Sequence, residues 1–230
     1  MQRGVPAARH RFGTRRRTPQ RASTLTDSHL DEPQTAPDST LTAARQARIR
    51  EVVDRRMRGV AVVLDSLYDP GNQAAVYRSV EAFGFLDCHV VNPAFAKKSN
   101  PRAVSRGAEK WLNMHIWQQA EEAIASLRAS GHAIWVADVR NAVPLSQVRF
   151  DRKIALVFGA EHAGLSPAFR AAADGAFTVP TVGFVESLNI SAAATATLAE
   201  ARIARERALG ARTDLTFEER EALYLDYLGR

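Results

Sequence analysis

The 230-residue chain contains one cysteine, Cys88, and that scarcity closes off several chemistries. A single thiol can neither form an internal disulfide nor build a cysteine-based zinc site, which suits a reducing cytosol. In DCHVV it reads as a small core side chain. No apolar run approaches the ~20 residues of a membrane span, so a soluble, cytoplasmic protein with no membrane partner is expected. The G-x-G-x-x-G dinucleotide fingerprint, the Walker A loop and the G-x-S-x-G elbow are all missing, which demotes the common nucleotide-binding and hydrolase readings. His162 has no second histidine or acid at metal-ligand spacing and reads as a loop residue, so no metal is expected. Acids are absent from residues 1–26, which carry seven arginines. The formal charge of +6 is therefore a property of that tail, and the remaining chain is close to neutral.

What is present divides the chain. Residues 1–38 are rich in Arg, Pro, Ser, Thr and Gln without hydrophobic periodicity, and read as a disordered basic tail. Residues 39–58 read as an arginine-bearing helix, with Ile49, Val53 and Met57 recurring every four residues as an apolar stripe. Arg45, Arg48 and Arg55 lie on a neighbouring arc, either as a solvated face or as nucleic-acid contacts. Candidate strands follow at Val60–Asp65, Leu86–Val91, Ala133–Asp138, Lys153–Phe158 and Ala176–Val179. Candidate helices are Gln73–Phe83, Gln118–Ala129, Pro167–Ala173 and Ile190–Leu209. Such alternation predicts an α/β fold, a mostly parallel sheet with helices on both faces, over residues 59–210. Residues 211–230 close the chain with a short helix, opened by a capping box of Thr216 and Glu219.

Three strand-to-helix loops have unusual chemistry, and such loops at the carboxyl ends of parallel strands are where α/β folds bind ligands. The first, DPGNQAAVYR, offers Asn72 as an N-cap and Arg78 less than two turns into the helix. An exposed helix arginine is the plainer reading of Arg78. In the second, FGAEHAGLSP, Gly159 and Gly164 allow a close backbone approach, Glu161 sits beside loop amides, and Ser166-Pro167 starts a helix. In the third, VPTVGFVESLNIS, Asn189 or Ser191 can cap the next helix. That helix begins SAAATATLAEARIA, so another backbone must pack closely, as a tight crossing or a dimer seam.

Taken in order, these loops resemble the three motifs of the SpoU branch of the SPOUT RNA methyltransferases, and within it the TrmH subgroup. The resemblance runs from about Ala44 to Leu228 and includes SRGAEKW, Ser105–Trp111. It implies a C-terminal trefoil knot, S-adenosylmethionine as methyl donor, a homodimer, and methylation of a ribose 2′-hydroxyl in RNA. The expected substrate is tRNA, at a D-loop guanosine; ribosomal RNA, or a catalytically silent RNA-binding protein of the same fold, are the alternatives. Carried over by position, Gly159, Val179 and Leu188 would line the cofactor site. Arg78 would be catalytic, Asn72 would shape its loop, and Glu161, Ser187 and Asn189 would complete the crevice. RNA would be held by Arg45, Arg48, Arg55, Lys97, Lys98, Arg102, Arg106 and Lys110. Two positions depart from the TrmH pattern: Gly71 stands where histidine is common, and Glu186 where glutamine is common. The family proposal makes the arginine a base. With a pKa of ~13, neutral arginine at pH 7 costs roughly 8 kcal/mol, so a bidentate hold on phosphate and ribose is an equally open role.

Overall fold

The computed structural model describes residues 42–91, 107–160 and 163–230. The basic tail, Lys97, Lys98, Arg102, Arg106, Glu161 and His162 lie outside the described residues.

Seven strands form one sheet in the order β3-β2-β1-β6-β4-β7-β5, and every pairing between them is parallel. They are β1 Val60–Asp65, β2 Asp87–Val91, β3 Asn113–Trp117, β4 Ala133–Ala137, β5 Val143–Pro144, β6 Ile154–Gly159 and β7 Gly175–Thr178. The two central strands, VAVVLD and IALVFG, are buried at every position, as expected where helices cover both faces of a parallel sheet. Alternate side chains serve two cores. Val62, Leu64, Leu156 and Phe158 pack with α2 (Pro70–Ala82) and α5 (Ile190–Leu209). Ala61, Val63, Ala155 and Val157 pack with α3 (Ala120–Ala129) and α4 (Pro167–Ala172). Cys88 lies in the first core, where burial pushes its thiol up to about 12 and leaves it an inert core residue.

The five expected strands and the four helices expected between Gln73 and Leu209 are present, with boundary shifts of three residues or fewer. Strands β3 and β5 were not foreseen. NMHIW is an edge strand whose Asn and His side chains interrupt any apolar run, and β5 is two residues long and contains Pro144. The amino-terminal helix is shorter than 39–58. As α1 it spans Ala43–Val53, and Met57 instead pairs with Phe85 in an isolated parallel bridge ahead of β1 and β2. Its apolar residues Ile49 and Val53 pack with Leu223 and Tyr227 of α6 (Phe217–Leu228), whose Thr216–Glu219 capping box is formed.

One correction concerns the first loop. The N-cap of α2 is Asp69, whose carboxylate accepts the Asn72 amide at 2.6 Å, and Asn72 lies inside the helix. Pro70 explains the shift: its fixed φ and missing N–H suit the first helical position, which starts the helix three residues early.

The chain after α5 is held by a buried ion pair. Arg205, only 4% exposed, donates to Asp214 at 2.8 Å and to the carbonyls of Phe150 and Arg152. Asp214 also accepts the amides of Arg58 and Gly59 at 2.7 and 2.8 Å. Gly59 leaves room for the guanidinium, since a Cβ there would come within 1.8 Å of Arg205 Nη2. Asp214→Ala should destabilise the fold by about 3–5 kcal/mol, because it strands a buried cation. Denaturant unfolding checks this, and a loss under 1 kcal/mol would contradict it.

Candidate active site

Loops from β4, β6 and β7 gather at the carboxyl edge of the sheet, and the loop after β1 is bonded to them through Asn72. A cavity of about 270 Å³ opens there. Its apolar wall comes from Phe158, Leu165, Phe177, Val179, Leu188 and Ile190. Phe158 and Phe177 meet edge to face, with centroids 6.1 Å apart. Gly159, Ala160 and Gly164 contribute backbone, and Ser187 and Glu186 stand on the loop that leads into α5.

The loop after β6 is folded tightly on itself. Ala160 and Gly164 exchange backbone hydrogen bonds at 3.1 and 2.8 Å, and Gly164 takes a left-handed φ of 67°. A Cβ on Gly159 would lie 2.5 Å from the Gly164 carbonyl carbon and 2.6 Å from the Leu165 nitrogen. Both neighbours are backbone, so nothing but glycine fits. Ser166 then caps α4, and its amide donates to the fully buried Asp65 carboxylate at 2.6 Å. Asp65 thereby ties the end of β1 to the loop after β6.

Of the two candidates Asn189 and Ser191, Asn189 is the N-cap of α5. Its Oδ1 accepts the amides of Ser191 and Ala192 at 2.9 and 3.4 Å, while its Nδ2 donates to Asn72 Oδ1 at 3.2 Å. The first and third loops are therefore joined by an amide–amide bridge. About two turns further on, the hydroxyls of Ser79 and Thr195 lie 2.7 Å apart. The small residues of α5 allow this close crossing with α2, while Ala192, Thr195 and Ala196 remain exposed. In the loop that precedes α5, Val182, Phe184 and Val185 are also exposed, an unusual run of large apolar side chains.

Gly159, Val179, Ser187 and Leu188 thus line one cavity, and Asn72 and Asn189 are bonded together beside it. Arg78 does not line the cavity. It is exposed on α2, and its side chain makes no hydrogen bond or ion pair with another described residue. Of the expected RNA contacts, Arg48 and Arg55 both pair with Glu51, at 2.7 and 3.2 Å, whereas Arg45 has no ion pair among the described residues. Lys110 is exposed with its ammonium 4.8 Å from the Trp111 ring. Two charged residues of the cavity, Asp138 and Arg170, were not foreseen: they stand 32 residues apart in unremarkable sequence. Among the described residues no group of three or more His, Cys, Asp or Glu side chains could hold a metal ion, and no helix is long and apolar enough to cross a membrane.

Residues 59–199 match the model of the SpoU rRNA methylase family. The chain is 35% identical over 168 residues to the tRNA (guanosine(18)-2′-O)-methyltransferase of Thermus thermophilus, covering 73% of this chain and 86% of that one. Among solved structures, it is similar to the A. aeolicus TrmH/SpoU tRNA modifying enzyme, with a TM-score of 0.71, 25% identity and coverage of 81% and 95%. It is also similar to the SpoU methyltransferase AviRb from Streptomyces viridochromogenes in complex with AdoMet, with a TM-score of 0.58, 28% identity and coverage of 64% and 60%.

Gly159→Ala should force apart the two-bond ring between Ala160 and Gly164. Amide hydrogen exchange at both residues is expected to accelerate by at least about tenfold while β1 keeps its protection. Unchanged exchange would mean the loop absorbs the methyl group.

Proposed function

The chain belongs to the SpoU rRNA methylase family, and on that premise we propose that it transfers a methyl group from S-adenosylmethionine to a ribose 2′-hydroxyl of tRNA, at a D-loop guanosine. The observation that carries this reading is that the second and third motif loops line one cavity while the first is bonded to the third through the Asn72–Asn189 bridge. The similarity to a guanosine(18) enzyme supports the choice of nucleotide. Ribosomal RNA is the second reading, favoured by Gly71 and Glu186 where the TrmH subgroup commonly has other residues.

The residues present fit the cofactor. A cradle of glycine backbone at Gly159 and Gly164 excludes side chains, and the walls of Phe158, Phe177, Val179 and Leu188 suit a flat purine. When bound, the cofactor supplies an electrophilic methyl carbon that needs no metal activation. The protein's part is then chiefly orientation, which can supply much of the rate. Asn72 and Asn189 fix the first helix against the third loop, and Ser187 with Leu188 closes the cavity from the α5 side. Arg78 is the catalytic side chain in this reading. Its exposure and the lack of a side-chain partner among the described residues suit its guanidinium to hold a phosphate or ribose oxygen bidentately and to stabilise charge developing on the hydroxyl oxygen. Glu161 belongs to the same crevice by its position in the second motif.

A homodimer and the C-terminal knot complete the proposal. The exposed apolar side chains of Val182, Phe184 and Val185, together with the small, exposed residues of α5, support a second copy as their cover. The knot rests on family resemblance, as does a cytoplasmic location. RNA would approach over Arg45, Arg48 and Arg55 of α1, with Glu51 releasing its two arginines to phosphates, and over Lys97, Lys98, Arg102, Arg106 and Lys110.

Deleting the gene should remove 2′-O-methylguanosine from tRNA, as read by nucleoside mass spectrometry, and the intact gene should restore it. Arg78→Ala should fail to restore it, with purified turnover down at least about 100-fold and cofactor affinity retained. Full complementation by that variant would overturn the role given to Arg78, and a loss confined to ribosomal RNA would overturn the tRNA assignment.

A further inference from the structure

The family resemblance implies a cofactor held largely by backbone groups, yet charged side chains also line this cavity. Among the described residues they are Asp138, Arg170 and Glu186. Glu186 is exposed on its loop and the Arg170 side chain is 37% exposed, whereas Asp138 is built into the wall. Asp138 directly follows β4, and its side chain is 11% exposed. Its Oδ1 accepts the Arg140 amide at 3.1 Å and lies 3.6 Å from Arg140 Nε, and its Oδ2 accepts Arg170 Nη1. Arg170 reaches back to the other wall, where its Nε donates to the Leu165 carbonyl at 3.4 Å. A Cβ on Gly164 would come within 3.2 Å of Arg170 Nη2, so the guanidinium lies against the glycine cradle itself. One side chain thus links the end of β4 to the loop after β6 and fixes where the carboxylate points.

The chemistry of the pair narrows what it can recognise. Burial alone would raise the Asp138 acid, but the Arg140 amide and the Arg170 guanidinium hold it below the usual carboxylate range. It is therefore an acceptor only, and each oxygen keeps lone-pair capacity beyond the bonds just described. An ammonium or sulfonium approaching it would meet two guanidinium groups as well, which disfavours a cationic ligand group. Neutral hydroxyl donors meet no such repulsion, and two adjacent hydroxyls match the two oxygens of a carboxylate. On the cofactor reading above, the group that answers this description is the ribose diol of the adenosyl moiety. We propose that Asp138 recognises the ribose 2′,3′-diol of the adenosyl cofactor, with Arg170 as the positioning residue that aims it.

The test is calorimetry on the full chain with S-adenosylhomocysteine and its 2′-deoxy and 3′-deoxy counterparts. The unaltered protein should bind the parent compound and lose at least about tenfold in affinity when a contacted hydroxyl is removed, as for a hydrogen bond to a charged group. In Asp138→Ala that penalty should shrink to less than about threefold, although the parent compound itself binds more weakly. Asp138→Asn keeps the shape of the wall and should show an intermediate penalty, and Arg170→Met should shrink it with Asp138 still present. An effect on packing alone would weaken all three ligands equally in the variants and leave the penalty intact, which would overturn the inference. A penalty absent from the unaltered protein would overturn it too. Failure of the unaltered protein to bind any of the three would instead overturn the cofactor reading on which it rests.

Discussion

Six residues of β1 lie against six of β6 in parallel register, from Val60 opposite Ile154 to Asp65 opposite Gly159. Both strands are buried along their whole length, so a slip of one residue would exchange every side chain between the two cores. That cost pins the register. The register in turn places the start of the first motif loop beside the start of the second, at the point where the strand order reverses. Asp65 uses the alignment directly, because its carboxylate reaches the Ser166 amide that opens α4.

From that alignment the site is assembled by short polar ties on a hydrophobic frame. Asp69 and Asn189 each cap a helix, and Asn189 also bonds the helix that Asp69 begins. A helix cap contributes about 1 kcal/mol, less than one large core side chain, so these ties set geometry more than stability. The two glycines of the loop after β6 act in the opposite sense, by permitting a contact that any side chain would block. Buried apolar area holds the layers together, and a few hydrogen bonds decide how their loops meet. The cavity inherits its shape from both.

Much of this was legible in the sequence. Unbroken apolar runs such as VAVVLD identify central strands because burial on both faces removes the usual alternation. The Thr216–Glu219 capping box is local, and local rules found it, while for α5 they narrowed the cap to Asn189 or Ser191. What stayed hidden depends on partners distant in sequence. Asp69 and Asn72 are both good capping residues, and the proline between them decided the matter in favour of the first. β3 has no apolar run of its own; its hydrogen bonds to β2 define it. Arg170 looks like any helix arginine until Asp138 and Gly164 are brought to it, and the same holds for Arg205 and Asp214. Arg78 is the reverse case. Family resemblance singles it out, while in the isolated chain it is an exposed arginine with no partner among the described residues, as a side chain waiting for an external ligand would be.

The central claim is that the three loops form a site that moves a methyl group onto a tRNA ribose. It is tested most directly by incubating the purified chain with tritiated S-adenosylmethionine and with unmodified tRNA or ribosomal RNA, followed by nuclease mapping of the labelled nucleotide. Label should enter tRNA at a single D-loop guanosine, in a linkage resistant to alkaline hydrolysis because the 2′-hydroxyl is blocked. Label on a base, or on ribosomal RNA alone, would contradict the account.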